Sequence, residues 1–225
     1  MTLTIYPELE QGSDEWLQAR CGIITASQIG KLITPTLKVA DNDTSRNLTL
    51  TLAAERITGH VEYVHPSFEM MRGTDDEPFA REVYANHYAP VEEVGFMTLE
   101  HDGYTVGYSP DGLVGNFGLI EIKSRNPRIQ LATISANKVP AANMAQIQAG
   151  MFVTNRDWCD YVSFSAGLPL YVKRVYPDHG WFTAIHLAAK AFEANVTKIV
   201  TDYEAATVGL HPTERRPELD GALKL

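Results

Sequence analysis

Cysteine is scarce: the 225 residues hold two, Cys21 and Cys159, far apart in the chain. That excludes a disulfide scaffold, a zinc ribbon and a four-cysteine iron–sulfur cluster, and fits a reducing cytoplasm. Long apolar runs are missing, so no membrane span is expected. The opening MTLTIYPELEQ has neither the basic nor the apolar region of a secretion signal. The seven histidines stand in no H-E-x-x-H or other metal spacing, and there is no internal repeat or low-complexity tract. Tyr108-Ser109-Pro110-Asp111-Gly112 is not a nucleophile elbow, because the glycine after the serine comes one residue too late. Positive charge is also short: 19 basic against 28 acidic residues give a net charge of −9, a balance that does not advertise phosphate binding.

The excess acid has an address. Between Glu62 and Asp102 stand ten carboxylates and two arginines, Arg72 and Arg81, a net of −8, and the rest of the chain sums to −1. A basic working face elsewhere is therefore compatible with the composition. The expectation is that most of the carboxylates in this segment cover outer surface rather than a working face.

What is present reads as one α/β (α+β) domain with a substantial core. Ser13 caps a short helix that Gly22 ends. Thr25-Ala26-Ser27-Gln28 has the capping-box pattern, opening a helix with Ile29, Leu32 and Ile33 at helical spacing. Residues 36 to 44 read as a polar loop, and residues 45 to 58 as a helix followed by Gly59. Around 68 to 88 lies either one long helix carrying Pro78 or a second helix opened by Thr74-Asp75-Asp76-Glu77. The period then changes. Strands are expected at 91 to 99 and 104 to 109, joined through the tight-turn dipeptide Asp102-Gly103, and at 119 to 123. Helices follow at 128 to 137 and 141 to 153, strands at 158 to 165 and 170 to 176, and a long helix at 181 to 205. The expected architecture is a mixed five-stranded central sheet flanked by helices, with a helical N-terminal third and a polar tail or arm over 207 to 225.

Chemistry concentrates at Ser109-Pro110-Asp111-Gly112 and Glu121-Ile122-Lys123. Alternation along a strand puts Glu121 and Lys123 on one face and Ile122 on the other. A short turn brings Asp111 alongside Glu121, and two carboxylates at one point repel unless a cation lies between them. A hard, oxygen-ligated ion such as Mg²⁺ meets that need. With Lys123 beside it, the site suits phosphodiester hydrolysis, the ion polarising a phosphoryl oxygen and activating water and the ammonium orienting that water or stabilising charge on phosphorus. A surface hairpin with a Glu–Lys pair is the competing account.

Pro110-Asp111…Glu121-Ile122-Lys123 resembles the PD-(D/E)XK nuclease motif. Trp16…Arg20-Cys-Gly-Ile-Ile-Thr-Ala-Ser27, Gly73…Glu77 and Ala145-Gln146-Ile-Gln148 accompany it in the order and spacing of the bacteriophage lambda-type exonucleases, the YqaJ-like viral recombinase family. The resemblance spans about residues 11 to 165 and implies a restriction-endonuclease-like core within a single nuclease domain over 1 to 225. It implies a Mg²⁺-dependent 5′-to-3′ exonuclease on double-stranded DNA ends, with Mn²⁺ able to substitute, working as a ring-shaped homotrimer with a single-strand annealing protein, of phage or prophage origin in a bacterial cytoplasm. Carried over, Asp111, Glu121 and the Ile122 carbonyl would bind metal and Lys123 would be the catalytic lysine. Glu77 would hold a water or a second metal, and Gln146 would position nucleophile or phosphate. Arg20 and Ser27, with Thr25, would hold the terminal 5′-phosphate and Gln148 would contact the DNA, while Trp16 either wedges against a DNA end or packs in the core.

The residues themselves support that pocket, since Ser27 falls in the first turn of a predicted helix, where free N–H groups favour an anion, and Arg20 can add a bidentate contact. Alternatively Thr25 and Ser27 only cap a helix and Arg20 pairs with a carboxylate. Lys123, Arg125, Arg128 and Lys138 form a run without acid, either a phosphate-tracking face or an ordinary solvated one. The rival functions are a restriction-like endonuclease and a non-catalytic DNA-binding or assembly module on the same fold.

Overall fold

The computed structural model describes residues 1–62 and 64–215. Among the described residues eight strands and seven α-helices run in the order β1 (Thr2–Tyr6), α1 (Asp14–Arg20), β2 (Ile24–Thr25), α2 (Ala26–Ile29), α3 (Asp43–Thr58), α4 (Phe68–His87), β3 (Phe96–His101), β4 (Tyr104–Tyr108), β5 (Gly112–Val114), β6 (Gly118–Ser124), α5 (Pro127–Ala136), α6 (Ala141–Thr154), β7 (Trp158–Phe164), β8 (Tyr171–Val175) and α7 (His179–Ala206). The strands form two mixed sheets, ordered β1-β3-β4-β2 and β5-β6-β7-β8.

This departs from a single five-stranded sheet behind a helical N-terminal third. The mixed α/β class stands, but the sheet divides after β4. There Pro110 has no N–H to give to a ladder, and the three-residue β5 starts a new antiparallel pair with β6, Gly112 opposite Ile120. Two N-terminal strands escape the periodicity argument. β1 is an edge strand exposed at all five positions, so no buried face marks it, and β2 is two residues long. Asp102-Gly103 makes the expected hairpin, both residues at positive φ (49° and 81°). Residues 91 to 95, expected as strand, carry only a bridge from Glu92 to Leu113.

α4 is one helix, capped by the Ser67 hydroxyl and carrying Pro78 inside it. Its second half is pinned: Ala80 and Tyr84 are fully buried in an apolar cluster with Val114, Ile120, Ile122 and Val162. The helix opened by Thr25 is shorter than its apolar pattern implies. α2 ends at Ile29 and a tighter 3₁₀ turn, Gly30–Leu32, follows, although Ile29, Leu32 and Ile33 are all buried. Gly30 is close enough to α6 that a Cβ there would meet the Ala145 methyl at 3.0 Å. α7 spans 28 residues, about 42 Å at helical rise. It buries Ile185, Ala188, Ala189, Phe192 and Val196 in the main core.

β6 is thus covered on both faces. Ile120 and Ile122 meet α4, while Leu119 joins the main core that also holds β4, α6 and α7 residues. Among the described residues no helix is long and apolar enough to cross a membrane. Of the tail from 207, residues up to 215 continue past α7 without regular strand or helix, and 216–225 lie outside the described residues.

Candidate active site

β6 lies between β5 (antiparallel) and β7 (parallel), which positions every acid of the motif. Asp111 sits in the bend before β5, and its Oδ2 accepts the Ile122 backbone N–H at 2.6 Å. Glu121 is fully buried, so the strand does not display it openly as alternation alone suggests. The Tyr108 hydroxyl lies 3.5 Å from its Oε2, and Lys123 Nζ is 2.6 Å from its Oε1. That ammonium is the charge Oε1 faces inside the fold. Glu77 reaches the cluster from α4. Arg81, one turn further along, pairs with Glu77, donates from Nε to the Asp111 carbonyl at 2.8 Å, and meets Glu93 at 2.6 Å.

The electrostatics follow from crowding three acids into a dry place. Burial, then repulsion from Asp111, pushes the Glu77 carboxyl up to about 7 despite Arg81. Burial pushes Glu121 up to about 7 as well, against Lys123. Asp111 is also raised, chiefly by burial. Burial alone would lower the Lys123 ammonium, but Glu121 and Asp111 outweigh it and hold it above its ordinary value. Lys123 therefore stays charged at neutral pH.

The donor chemistry fits a hard divalent ion: oxygen atoms only, on acids whose pKa values are raised first by burial and, for Glu77 and Glu121, further by neighbouring carboxylates. Among the described residues no three His, Cys, Asp or Glu side chains form a closed ligand set. The arrangement is a two-carboxylate one, Asp111 with Glu121, of the kind Mg²⁺ takes while keeping several waters.

A cavity of about 200 Å³ adjoins this cluster, and Arg20, Thr25, Ser27, Trp16, Asp111 and Gln146 all line it. Residues predicted from separate stretches of sequence meet here. The Trp16 indole donates to Ser109 Oγ at 2.9 Å, and the Arg20 guanidinium carbon lies 3.8 Å from the Trp16 ring centroid. Among the described residues no carboxylate is within ion-pair distance of Arg20. Burial lowers its pKa, partly offset by Glu55. The competing account, Arg20 spent on a carboxylate, is not what the fold shows. Trp16 also walls a larger groove, about 790 Å³, that reaches Glu77, Arg81 and Glu93.

Two expectations need correction. Thr25 occupies the N-cap of α2 but forms no capping box. Its hydroxyl donates to Gln28 Oε1 at 3.1 Å and lies 3.2 Å from Ser27 Oγ. With four residues, α2 has little aligned dipole, so attraction for an anion rests on Arg20 and the hydroxyls. Gln148 is buried and away from the cavity. Its amide donates to the Tyr176 carbonyl (2.9 Å) and accepts the Asp178 N–H (3.0 Å), tying α6 to the start of α7.

The loop bearing Arg20 is braced from behind. The Gly22 N–H donates to Glu55 at 2.8 Å and its carbonyl accepts from Arg56 Nε at 2.8 Å, while Arg56 grips Glu193 of α7 with two further bonds. Gly22 is at φ +66°, and a Cβ there would lie 2.3 Å from Arg56 Cγ, so no larger residue fits. Sequence reasoning missed Arg81; its spacing four residues after Glu77 on a helix was the available signal. Of the ten carboxylates from 62 to 102, Asp76 and Glu77 are half-buried and the others exposed, though Glu93 is drawn to the site through Arg81.

A sequence profile of the YqaJ-like viral recombinase domain matches residues 15–157. No curated protein gives a sequence match. Among solved structures, the alkaline exonuclease LHK-Exo from Laribacter hongkongensis superposes with a TM-score of 0.78 at 32% identity, over 88% of this chain and 100% of that one. The complex of LHK-Exo with dAMP matches to the same degree. A phage-related exonuclease from Haemophilus somnus 129PT shares the fold, with a TM-score of 0.58 and 13% identity over 80% of this chain and 96% of that one. The fold is that of the restriction-endonuclease-like exonucleases.

Proposed function

The chain belongs to the YqaJ-like viral recombinase domain family, and from that premise we propose that it is a Mg²⁺-dependent 5′-to-3′ exonuclease. It digests one strand of linear duplex DNA from 5′-phosphorylated ends. Family membership and the likeness to an alkaline exonuclease support nuclease chemistry. The observation that carries the finer reading is the single cavity in which Arg20, Thr25 and Ser27 share walls with Asp111 and Gln146. A pocket for a terminal phosphate next to the hydrolytic acids has a use only if the enzyme works from an end. The dAMP in the LHK-Exo complex is a mononucleotide of the kind such a reaction releases.

Asp111 and Glu121, with the Ile122 carbonyl, would hold the ion, which supplies Lewis acidity and an activated water; Mn²⁺ has the same oxygen preference. The chain's own residues do the rest. Arg20 and Ser27 hold the terminal phosphate, and Trp16 closes the side of the pocket. Gln146 positions the attacking water against the scissile phosphate. Glu77, set by Arg81, holds a further water. Lys123, charged, stabilises the negative charge that grows on phosphorus. Water adds across the P–O3′ bond, leaving a 3′-hydroxyl on the released mononucleotide and a new 5′-phosphate on the shortened strand. Each turnover therefore regenerates the group the pocket holds, and a 3′ single-stranded overhang grows. In this reading the working form is a ring of three copies, as the motif resemblance implies, and the overhang passes to a single-strand annealing protein for homologous recombination.

The test is digestion of end-labelled linear duplex, with and without a 5′-phosphate, in Mg²⁺ and in EDTA, beside closed circular DNA. Digestion should require Mg²⁺, run from the 5′ end, favour the phosphorylated end and spare the circle. Equal cutting of circle and linear DNA would replace this reading with an endonuclease. Binding without any cutting would leave a non-catalytic module.

A further inference from the structure

The row Glu121, Lys123, Arg125 continues beyond the residues used so far. Alternation puts all three on one face of β6 and its extension, each about 6.6 Å from the next. The Arg125 N–H still bonds to the Phe164 carbonyl at 2.7 Å, which keeps that spacing past the end of the strand. The guanidinium is held by Nη2, which donates to Asn143 Oδ1 at 2.7 Å and lies 3.4 Å from the Tyr161 hydroxyl. Neither partner is charged. Nε is buried without a hydrogen-bond partner, and among the described residues no carboxylate stands within ion-pair distance of Arg125. A partly buried cation kept by neutral partners is costly unless an anion arrives to complete it.

The surroundings point to the kind of anion. Asn143 lies in the first turn of α6, a 14-residue helix whose N-terminus has no side-chain cap, so its N–H end adds positive potential where Arg125 is seated. Asn143 and Gln146 are three residues apart on α6 and share a face, placing Arg125 on the same side as the catalytic cavity. Arg128 and Lys138 border a groove of about 450 Å³ that runs to Pro140, the residue before α6. The side chain of Arg125 remains partly exposed.

We infer that Arg125, seated at the first turn of α6, binds the backbone phosphate next to the scissile one on the strand being digested. Its offset from Lys123 is close to the separation of successive phosphates along one nucleic-acid strand. The role is that of a substrate-binding group that sets the strand's register over Lys123, and it rests on the nuclease reading above.

The test uses duplexes with one neutral methylphosphonate at each of the first four linkages from the phosphorylated 5′ end, digested by wild type and R125Q. Wild type should lose about tenfold in kcat/KM at one linkage adjacent to the cut, the worth of one charge-assisted contact. R125Q should lose about as much on the unmodified duplex and nothing further at that linkage. Its binding should also show a salt slope lower by about 1. If R125Q loses its cooperative thermal melt, R125K carries the comparison, since it keeps the charge without the planar fork, and its penalty at that linkage must fall below the wild-type value. Unchanged kinetics, or a penalty profile in the folded variant identical to wild type, overturns the inference alone. A wild type that does not digest the unmodified duplex overturns the nuclease reading and this inference with it.

Discussion

The Asp111 carboxylate accepts the backbone N–H of Ile122, 2.6 Å away, so the acid of one strand end is tied to the strand that carries the other two motif residues. This bond converts a sequence pattern into a site. The nine residues between Asp111 and Glu121 fold into the β5–β6 hairpin, and the pairing of Gly112 with Ile120 sets the two acids side by side at its end.

Lys123→Ala should lower the cleavage rate by at least about 100-fold, the scale of losing one preorganised charge stabiliser. DNA binding and the circular-dichroism spectrum should persist. Cleavage at the wild-type rate would remove Lys123 from the mechanism.

Arg20→Ala should abolish most of the preference for a 5′-phosphate. Wild type should digest phosphorylated ends about tenfold faster than hydroxyl ends, and the variant at nearly equal rates. Arg20→Lys should resemble the alanine variant more than wild type, because an ammonium lacks the planar face that lies over Trp16. Rates on the two kinds of end, compared within each variant, check this.

Metal-free protein should lose thermal stability as pH rises. In the folded chain Glu77 and Glu121 keep their protons up to about 7, whereas unfolded carboxyls release theirs near 4.5. Between those values the folded state binds more protons than the unfolded, so stability falls with rising pH and levels off above about 7. Melting temperatures in EDTA from pH 4.5 to 8 should show that decline, Glu121→Gln should flatten part of it, and Mg²⁺ at pH 8 should reverse it. A flat profile would mean the three acids are not electrostatically strained.

Gln148→Ala should destabilise the fold by about 2 kcal/mol, since it empties a buried side-chain site and removes the two partly buried hydrogen bonds that tie α6 to the start of α7. The ratio of rates on phosphorylated and hydroxyl ends should stay unchanged. A shifted ratio with normal stability would return Gln148 to the DNA-binding set.

The legible parts of this protein were those where local spacing and tertiary use coincide. Asp111, Glu121 and Lys123 sit on a hairpin whose register follows from chain length, so alternation predicted their meeting. The gathering of Arg20, Ser27 and Gln146 came from family resemblance rather than periodicity, because three separate elements converge there. Arg81 was only half legible: its i+4 spacing from Glu77 was in the sequence, but its bond to the Asp111 carbonyl, 30 residues away, was not. Gln148 misled because position i+2 from Gln146 points a helix side chain to a different face, here into the core. β1 carried no apolar stripe to find, and the burial of Tyr84 against Asp160, bonded at 2.7 Å, is a pairing across 76 residues that no window of sequence contains.

Gly22 is held through its amide by Glu55 and through its carbonyl by Arg56, which α7 secures in turn. The segment from Arg20 to Ser27 is consequently braced at its centre by groups outside the cavity. On the proposed reading, capture of a duplex end by this pocket would be paced by diffusion and orientation, not by a loop that must first reorganise. Sensitivity of the capture rate would lie in distant positions such as Glu193. Loosening that brace would slow productive association without touching a single atom of the phosphate's binding surface.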